Sequence, residues 1–193
     1  MDLGKAEQIR FSFDERKTAA AAALLLQLSG GSMEYLRLIK LLYFIDREAL
    51  EALGRPITGD RYVSMRHGPV LSTVYDLVKA TLLGDVAATG PWSEHVQPNG
   101  RYRLALRQAP DVGALSEAEI DVVLQVFERY RSMDRWSIRD QTHDLPEWED
   151  PGDSSKEIPL ETILRVLGKT DDEIENVREA AREKTHFDSI FGR

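Results

Sequence analysis

Three side chains have the types that acid–base or metal chemistry needs: Asp46, His67 and His143. A carboxylate paired with an imidazole is a common arrangement for proton transfer, and both groups bind metal ions. No two of the four histidines have metal-ligand spacing on one predicted element, so only the fold could assemble such a site. One hypothesis is therefore a small metal-dependent or acid–base enzyme, which requires these three side chains within hydrogen-bond reach beside a pocket.

Asp46 also has a structural interpretation. It lies on the apolar side of a predicted helix, where a carboxylate without hydrogen-bond donors would be costly to bury. An Arg, a His or backbone N–H groups after Gly59 would supply those donors. We predict that Asp46 serves folding in this way, and that the chain is not an enzyme and uses no metal ion or cofactor.

Familiar catalytic patterns are missing from the sequence. It has no G-x-S-x-G, H-E-x-x-H, Walker A or G-x-G-x-x-G motif, and it has no cysteine. The absence of cysteine excludes disulfides, thiol nucleophiles and Cys-ligated zinc. The net charge of −8 repels phosphate, which argues against broad binding to nucleic acids or anionic membranes.

Arginines and tryptophans give two further alternatives. Four arginines surround the junction of two predicted helices, namely Arg129, Arg131, Arg135 and Arg139. They resemble a helix-turn-helix loosely and would suit a DNA-binding regulator, but nearby acidic residues dilute their charge. The three tryptophans lie at predicted helix edges and loops, where each is either a lid on the core or an anchor for a protein partner. They are Trp92, Trp136 and Trp148.

The elements that must position these residues are mostly helices. The most informative one spans residues 33–53, with Ser32 as N-cap and Gly54 as the residue after its end. It is apolar nearly all round in its middle, which predicts a central buried helix. Further helices are predicted at residues 14–28, at 69–83 from Pro69, at 116–133, after Ser137, and at 159–167 and 170–184.

Alternating apolar residues predict strands at residues 61–66 and 101–107, which we expect to pair as one ribbon. Residues 92–100 and 147–156 are expected to be loops. The predicted fold is mainly α (α+β): a compact helical domain around a central buried helix, with a small antiparallel β-ribbon. Residues 1–150 would form this domain, and residues 151–193 a linker and helices that pack on it or extend from it. The longest apolar run, residues 19–26, is too short to span a bilayer, and we expect a cytoplasmic protein.

Several segments together resemble the Panacea-domain family. They are residues 38–48 (LIKLLYFIDRE), residues 54–62 (GRPITGDRY), residues 67–70 (HGPV), residues 74–76 (VYD), and Thr142-His143 followed by Trp148. The positions that carry the match are Lys40, Tyr43, Asp46, Gly59, Asp60, Gly68, Pro69, Tyr75, Thr142 and His143.

The resemblance implies an antitoxin, the neutralising half of a toxin–antitoxin pair that binds its cognate protein toxin directly. The SocA-like type within this family is similar to a proteolytic adaptor, which presents its toxin to a AAA+ protease such as ClpXP. For the toxin contact we predict a surface where the strand and turn of residues 62–70 meet the loop after His143. Its members would be Tyr62, Arg66, His67, Val70 and Trp148.

Overall fold

The computed structural model describes residues 8–84 and 89–191. Its described part contains eight α-helices and two small antiparallel sheets, so the predicted mainly-α (α+β) fold is confirmed. The helices are α1 (Glu15–Leu28), α2 (Tyr35–Leu53), α3 (Ser72–Leu83), α4 (Pro91–His95), α5 (Glu117–Tyr130), α6 (Arg135–His143), α7 (Leu160–Val166) and α8 (Asp171–Phe191). The strands are β1 (Ser32–Glu34), β2 (Tyr62–Ser64), β3 (Val70–Leu71), β4 (Val96–Pro98), β5 (Arg103–Leu106) and β6 (Lys156–Ile158).

Helix α2 is the central element, as its apolar pattern predicts. Every residue from Leu38 to Asp46 is buried, and α1, α3, α5, α6 and α7 all contact the helix. Gly54 ends it with a φ of +67°, a left-handed conformation that glycine adopts without a steric penalty. The predicted start is wrong, because Ser32 lies in β1 and the N-cap position belongs to Glu34.

The two sheets replace the single predicted ribbon. One has the strand order β1-β5-β4 and the other β3-β2-β6. The predicted pairing of residues 61–66 with residues 101–107 is therefore wrong. β5 pairs with β1, with Met33 opposite Leu104, while β2 pairs with β6, with Tyr62 opposite Ile158. Strands of two or three residues are too short to leave an alternating pattern, so the true partners were not visible in the sequence.

Other boundaries also differ from the prediction. Pro69 precedes strand β3, and the third helix begins only at Ser72. Residues 92–100 are not a plain loop, since they include most of α4 and all of β4, and Trp92 is 1% exposed. Helix α6 is capped by Asp134, whose carboxylate accepts from the backbone N–H groups of Trp136 and Ser137.

Local capping explains where several helices begin. Asp14 caps α1, and the predicted capping box of Ser116 and Glu119 opens α5. The second predicted box, Thr170 with Glu173, opens α8, which continues beyond the expected end at residue 184. The boundary predicted at residue 150 stays a prediction, although β6 pairs with β2 across it. No helix in residues 8–84 and 89–191 is long and apolar enough to cross a membrane.

Candidate functional site

Asp46 lies fully buried on α2 and accepts hydrogen bonds from the loop that follows this helix. Its Oδ1 accepts from the backbone N–H groups of Ile57 and Thr58, each at 2.9 Å. Its Oδ2 accepts from the Thr58 hydroxyl and from the Tyr62 hydroxyl. The expected backbone donors thus come from before Gly59 and not after it. Burial raises the pKa of Asp46 to about 6, although the Thr58 and Ile57 hydrogen bonds oppose that shift.

Asp60, on the same loop, caps helix α3 from outside the helix. Its carboxylate accepts from the backbone N–H groups of Thr73 and Val74 and from the Thr73 hydroxyl. These N–H groups belong to the first turn of α3, where no intrahelical acceptor exists. Gly59 turns the chain between the two carboxylates with a φ of +67°. The loop that contains Gly59 and Asp60 is therefore bound to α2 through Asp46 and to the first turn of α3 through Asp60.

Lys40 forms a second buried polar contact on α2. Its Nζ is fully buried and donates to the carbonyl oxygen of Pro69 at 2.7 Å. Gly68 leaves room for it, because a Cβ at this position would lie 2.3 Å from Thr142 Oγ1 and 2.9 Å from Lys40 Nζ. Burial, followed by the positive charge of Arg139, lowers the pKa of Lys40 to about 7. The His-Gly-Pro turn, α2 and the end of α6 thus meet at Lys40.

This lowered pKa predicts a pH-dependent stability. Above about pH 7 the folded Lys40 has lost its proton while the unfolded one keeps it, so stability rises with pH by up to about 1.4 kcal/mol per unit. Chemical denaturation at about pH 7 and about pH 9 should show wild type gaining about 2 kcal/mol relative to Lys40→Met. A difference between the two proteins that does not change with pH would show that Lys40 stays charged in the fold.

The segment after α6 is fixed by contacts of Glu147 and Trp148. The buried carboxylate of Glu147 accepts from Arg47 Nε at 2.8 Å and from the Tyr43 hydroxyl at 3.3 Å. Trp148 donates from its indole Nε1 to the carbonyl oxygen of Met65, and its ring stacks on His143 with centroids 4.3 Å apart. The sequence gives one indication of the pair formed by Arg47 and Glu147. Arg47 directly follows the motif residue Asp46, and Glu147 directly precedes the motif residue Trp148.

The hydrogen bonds of Asp46 involve neither His67 nor His143, although the two histidines lie close enough for His67 to contribute to lowering the pKa of His143. The hydrogen-bond donors to Asp46 are Ile57, Thr58 and Tyr62, while His143 stacks on Trp148 and His67 is exposed. Burial, followed by the charge of Lys40, lowers the pKa of His143. In the described part of the chain, no group of three or more His, Asp or Glu side chains could hold a metal ion.

The predicted toxin-contact surface needs correction. Tyr62 is 2% exposed and Val70 is 5% exposed, so both belong to the core and the prediction that they face a partner is wrong. The reason is their place in the fold, because β2 pairs with β3, β3 packs against α2, and Tyr62 contacts Tyr43 and Asp46 of that helix. Arg66 and His67 are exposed, and Arg66 pairs with Asp153 at 3.0 Å. Trp148 is half-buried, and Tyr75 is half-buried under the ammonium group of Lys79.

The arginines of the regulator hypothesis are mostly neutralised by neighbours. Arg129 pairs with Glu48, Arg131 with Glu128, and Arg139 with Asp140. Arg135 instead lies over the ring of Trp136, at 4.9 Å from its centroid. Ion pairs of this kind leave little charge for phosphate, so the four residues do not form a continuous basic face.

The sequence also matches the model of a known protein family. A family model described as "Antitoxin SocA-like, Panacea domain" matches residues 38–149, which is more than half of the chain. The matched region begins at Leu38 on α2 and ends just after Trp148, so it contains all the buried polar contacts described above. No curated protein and no solved structure matches the chain.

Proposed function

The chain belongs to the SocA-like Panacea-domain antitoxin family, and we propose that it neutralises a protein toxin by binding it directly. The observation that carries this proposal is the family match over residues 38–149. The motif resemblance found in the sequence leads to the same family. An antitoxin role implies a toxin as partner, and direct binding is the simplest mechanism for a domain of this kind.

The use of the buried polar residues supports binding over catalysis. Lys40, Asp46 and Asp60 hydrogen-bond mainly to backbone groups of the chain itself. Removing such a group from its partners would first damage the fold, because buried polar groups are costly to leave unpaired. The motif residues therefore build the scaffold, and the exposed residues around it are left to contact the toxin.

Two finer statements belong to the same proposal. We propose that the chain acts in the cytoplasm, and that it delivers its toxin as an adaptor to a AAA+ protease such as ClpXP. Purified ClpXP should then degrade the toxin faster when the chain is present than when it is absent. Equal degradation rates would limit the chain to neutralisation by binding.

The test of the antitoxin role is co-expression with the product of the neighbouring open reading frame. Expression of that product alone should stop growth, and expression together with this chain should restore it. Failure of the chain to restore growth against a toxic neighbour, at matched expression levels, would contradict the proposal.

The double variant His67→Gln and His143→Gln separates binding from acid–base catalysis. Gln keeps polar atoms at both positions but cannot transfer protons near neutral pH, so the variant should still rescue growth. Its melting temperature serves as the control for folding. Loss of rescue by a folded variant that still captures the toxin would favour the enzyme hypothesis instead.

A further inference from the structure

A groove of about 350 Å³ opens at the start of α6, and it contains Arg135 of the arginine cluster and Trp136, one of the three candidate partner anchors in the sequence. It is lined by Glu34, Tyr35, Leu36, Tyr102, Arg135 and Trp136. Tyr102 is 49% exposed and Trp136 is 48% exposed, although large aromatic side chains usually bury most of their surface. The rings of Tyr35 and Tyr102 stack with centroids 6.5 Å apart, which gives the groove a firm aromatic wall.

Arginines cover both exposed rings. The guanidinium of Arg101 lies 5.1 Å from the centroid of Tyr102. Those of Arg135 and Arg139 lie 4.9 Å and 5.0 Å from the centroid of Trp136. These cation–π contacts leave the N–H donors of Arg101 and Arg135 available to a partner, whereas Arg139 donates from Nε and Nη2 to Asp140.

The positive charge of this face is only partly neutralised. A second cleft shares Glu34 with the groove and is lined by Arg37, Arg103 and Arg131. Arg103 pairs with Glu34, and Arg131 pairs with Glu128. Arg37 is half-buried, donates to the carbonyl oxygen of Arg131 and interacts electrostatically with Glu34. Within the described residues, Arg101 and Arg135 lie against aromatic rings and form no salt bridge, although the charge of Asp134 acts on Arg135. These two guanidinium groups therefore keep donors for a partner in a chain whose net charge is −8.

We propose that this groove, defined by Tyr35, Tyr102, Arg135 and Trp136, is the docking site for a segment of the toxin that combines carboxylates with an aromatic or aliphatic side chain. The apolar side chain would lie against Trp136 and Tyr102, and the carboxylates would accept bidentate hydrogen bonds from Arg101 and Arg135. Trp, Tyr and Arg are the residues that most often dominate binding energy at protein interfaces. This inference rests on the proposed antitoxin function and assigns its contact surface.

A nucleic-acid strand fits the same face less well. Stacked aromatics and arginines also bind single strands, but a strand would bring a phosphate at every nucleotide. The carboxylates of Glu34 and Asp134 border the groove, since Asp134 caps the helix that begins with Arg135. A short segment can place one or two carboxylates on Arg101 and Arg135 and leave no negative charge beside Glu34 and Asp134. A continuous row of phosphates would also lie beside these two carboxylates and be repelled by them.

The experiment measures binding of the full chain to the purified product of the neighbouring open reading frame, by calorimetry. Trp136→Ala and Arg135→Glu should each raise Kd by about tenfold or more, which is the size of a hot-spot effect. Arg66→Glu is the matched comparison, because Arg66 is an exposed arginine on the alternative loop surface of Arg66, His67 and Trp148. It should leave Kd nearly unchanged. All variants should melt at the wild-type temperature, since neither Trp136 nor Arg135 is buried.

The outcomes separate the groove from the antitoxin role itself. No binding by wild type would remove the proposed function, and the groove with it. Wild-type binding that Trp136→Ala and Arg135→Glu leave intact would overturn the groove alone, and a loss confined to Arg66→Glu would move the contact to the loop surface. Tight binding of a single-stranded thymidine oligomer that both groove variants abolish would also overturn the proposal, in favour of a nucleic-acid partner.

Discussion

Replacing Asp46 by Ala is expected to lower the free energy of unfolding by roughly 3–5 kcal/mol. The substitution leaves the N–H groups of Ile57 and Thr58 and the Thr58 hydroxyl buried without their acceptor. Each such group loses a hydrogen bond without regaining water, which is the costly case for a buried polar atom. Urea denaturation of both proteins at neutral pH measures the difference.

Asp76→Ala is the matched control for this variant. The side chain of Asp76 is 67% exposed and forms only an i, i+3 ion pair with Lys79 on α3. Exposed pairs of this kind contribute little, so the control should lose less than about 1 kcal/mol. Equal losses of unfolding free energy in the two variants would show that Asp46 does not hold the loop. An Asp46→Ala protein that unfolds at the same urea concentration as wild type would show the same.

Replacing Gly59 by Ala is expected to destabilise the fold by about 3 kcal/mol or more. A Cβ at this position would lie 2.2 Å from the carbonyl oxygen of Ser12, and a backbone atom cannot move aside as a side chain does. The φ of +67° adds the ordinary cost of a left-handed conformation in an L-residue. The loss of unfolding free energy should therefore be larger than the cost of the left-handed φ by itself.

Gly100→Ala isolates the cost of φ. Gly100 has a φ of +78° and no neighbouring atom within 4 Å of where a Cβ would lie. The Gly100→Ala variant should therefore lose only about 1–2 kcal/mol of unfolding free energy. Thermal or urea denaturation of the two variants under one condition gives the comparison. Equal destabilisation would mean that the segment before α1 yields easily and does not pack firmly against the Gly59 turn.

The parts of the fold that could be predicted are those with strong local signals. Helix α2 is apolar nearly all round, and its end at Gly54 and the capping box of Ser116 follow from residue types alone. The partners of β2 could not be predicted. β6 lies more than ninety residues away from β2 and is only three residues long, so no local pattern connects them.

The candidate site shows the same limit. The sequence indicated that Asp46 is buried, because a helix places it among apolar residues. It did not indicate that Tyr62 is buried beside it, since an alternating strand has two faces and only tertiary packing decides which one meets the core. The sequence offered Trp136 as a candidate anchor for a partner, but it did not indicate that this residue lines a groove. Its walls come from β1, α2, α6 and the turn before β5, so Tyr35, Tyr102 and Trp136 meet only in the folded chain.

The central claim is that the chain neutralises a toxin by binding it directly. Titration of the purified product of the neighbouring open reading frame with the purified chain, without any protease, tests it most directly. Binding heat and loss of toxin activity are followed in the same series. Direct neutralisation predicts a saturable complex, with toxin activity falling in proportion to the complex formed and returning when the complex is dissociated. Loss of toxin activity at chain concentrations far below that of the toxin, or growth rescue in cells with no complex in solution, would contradict the claim.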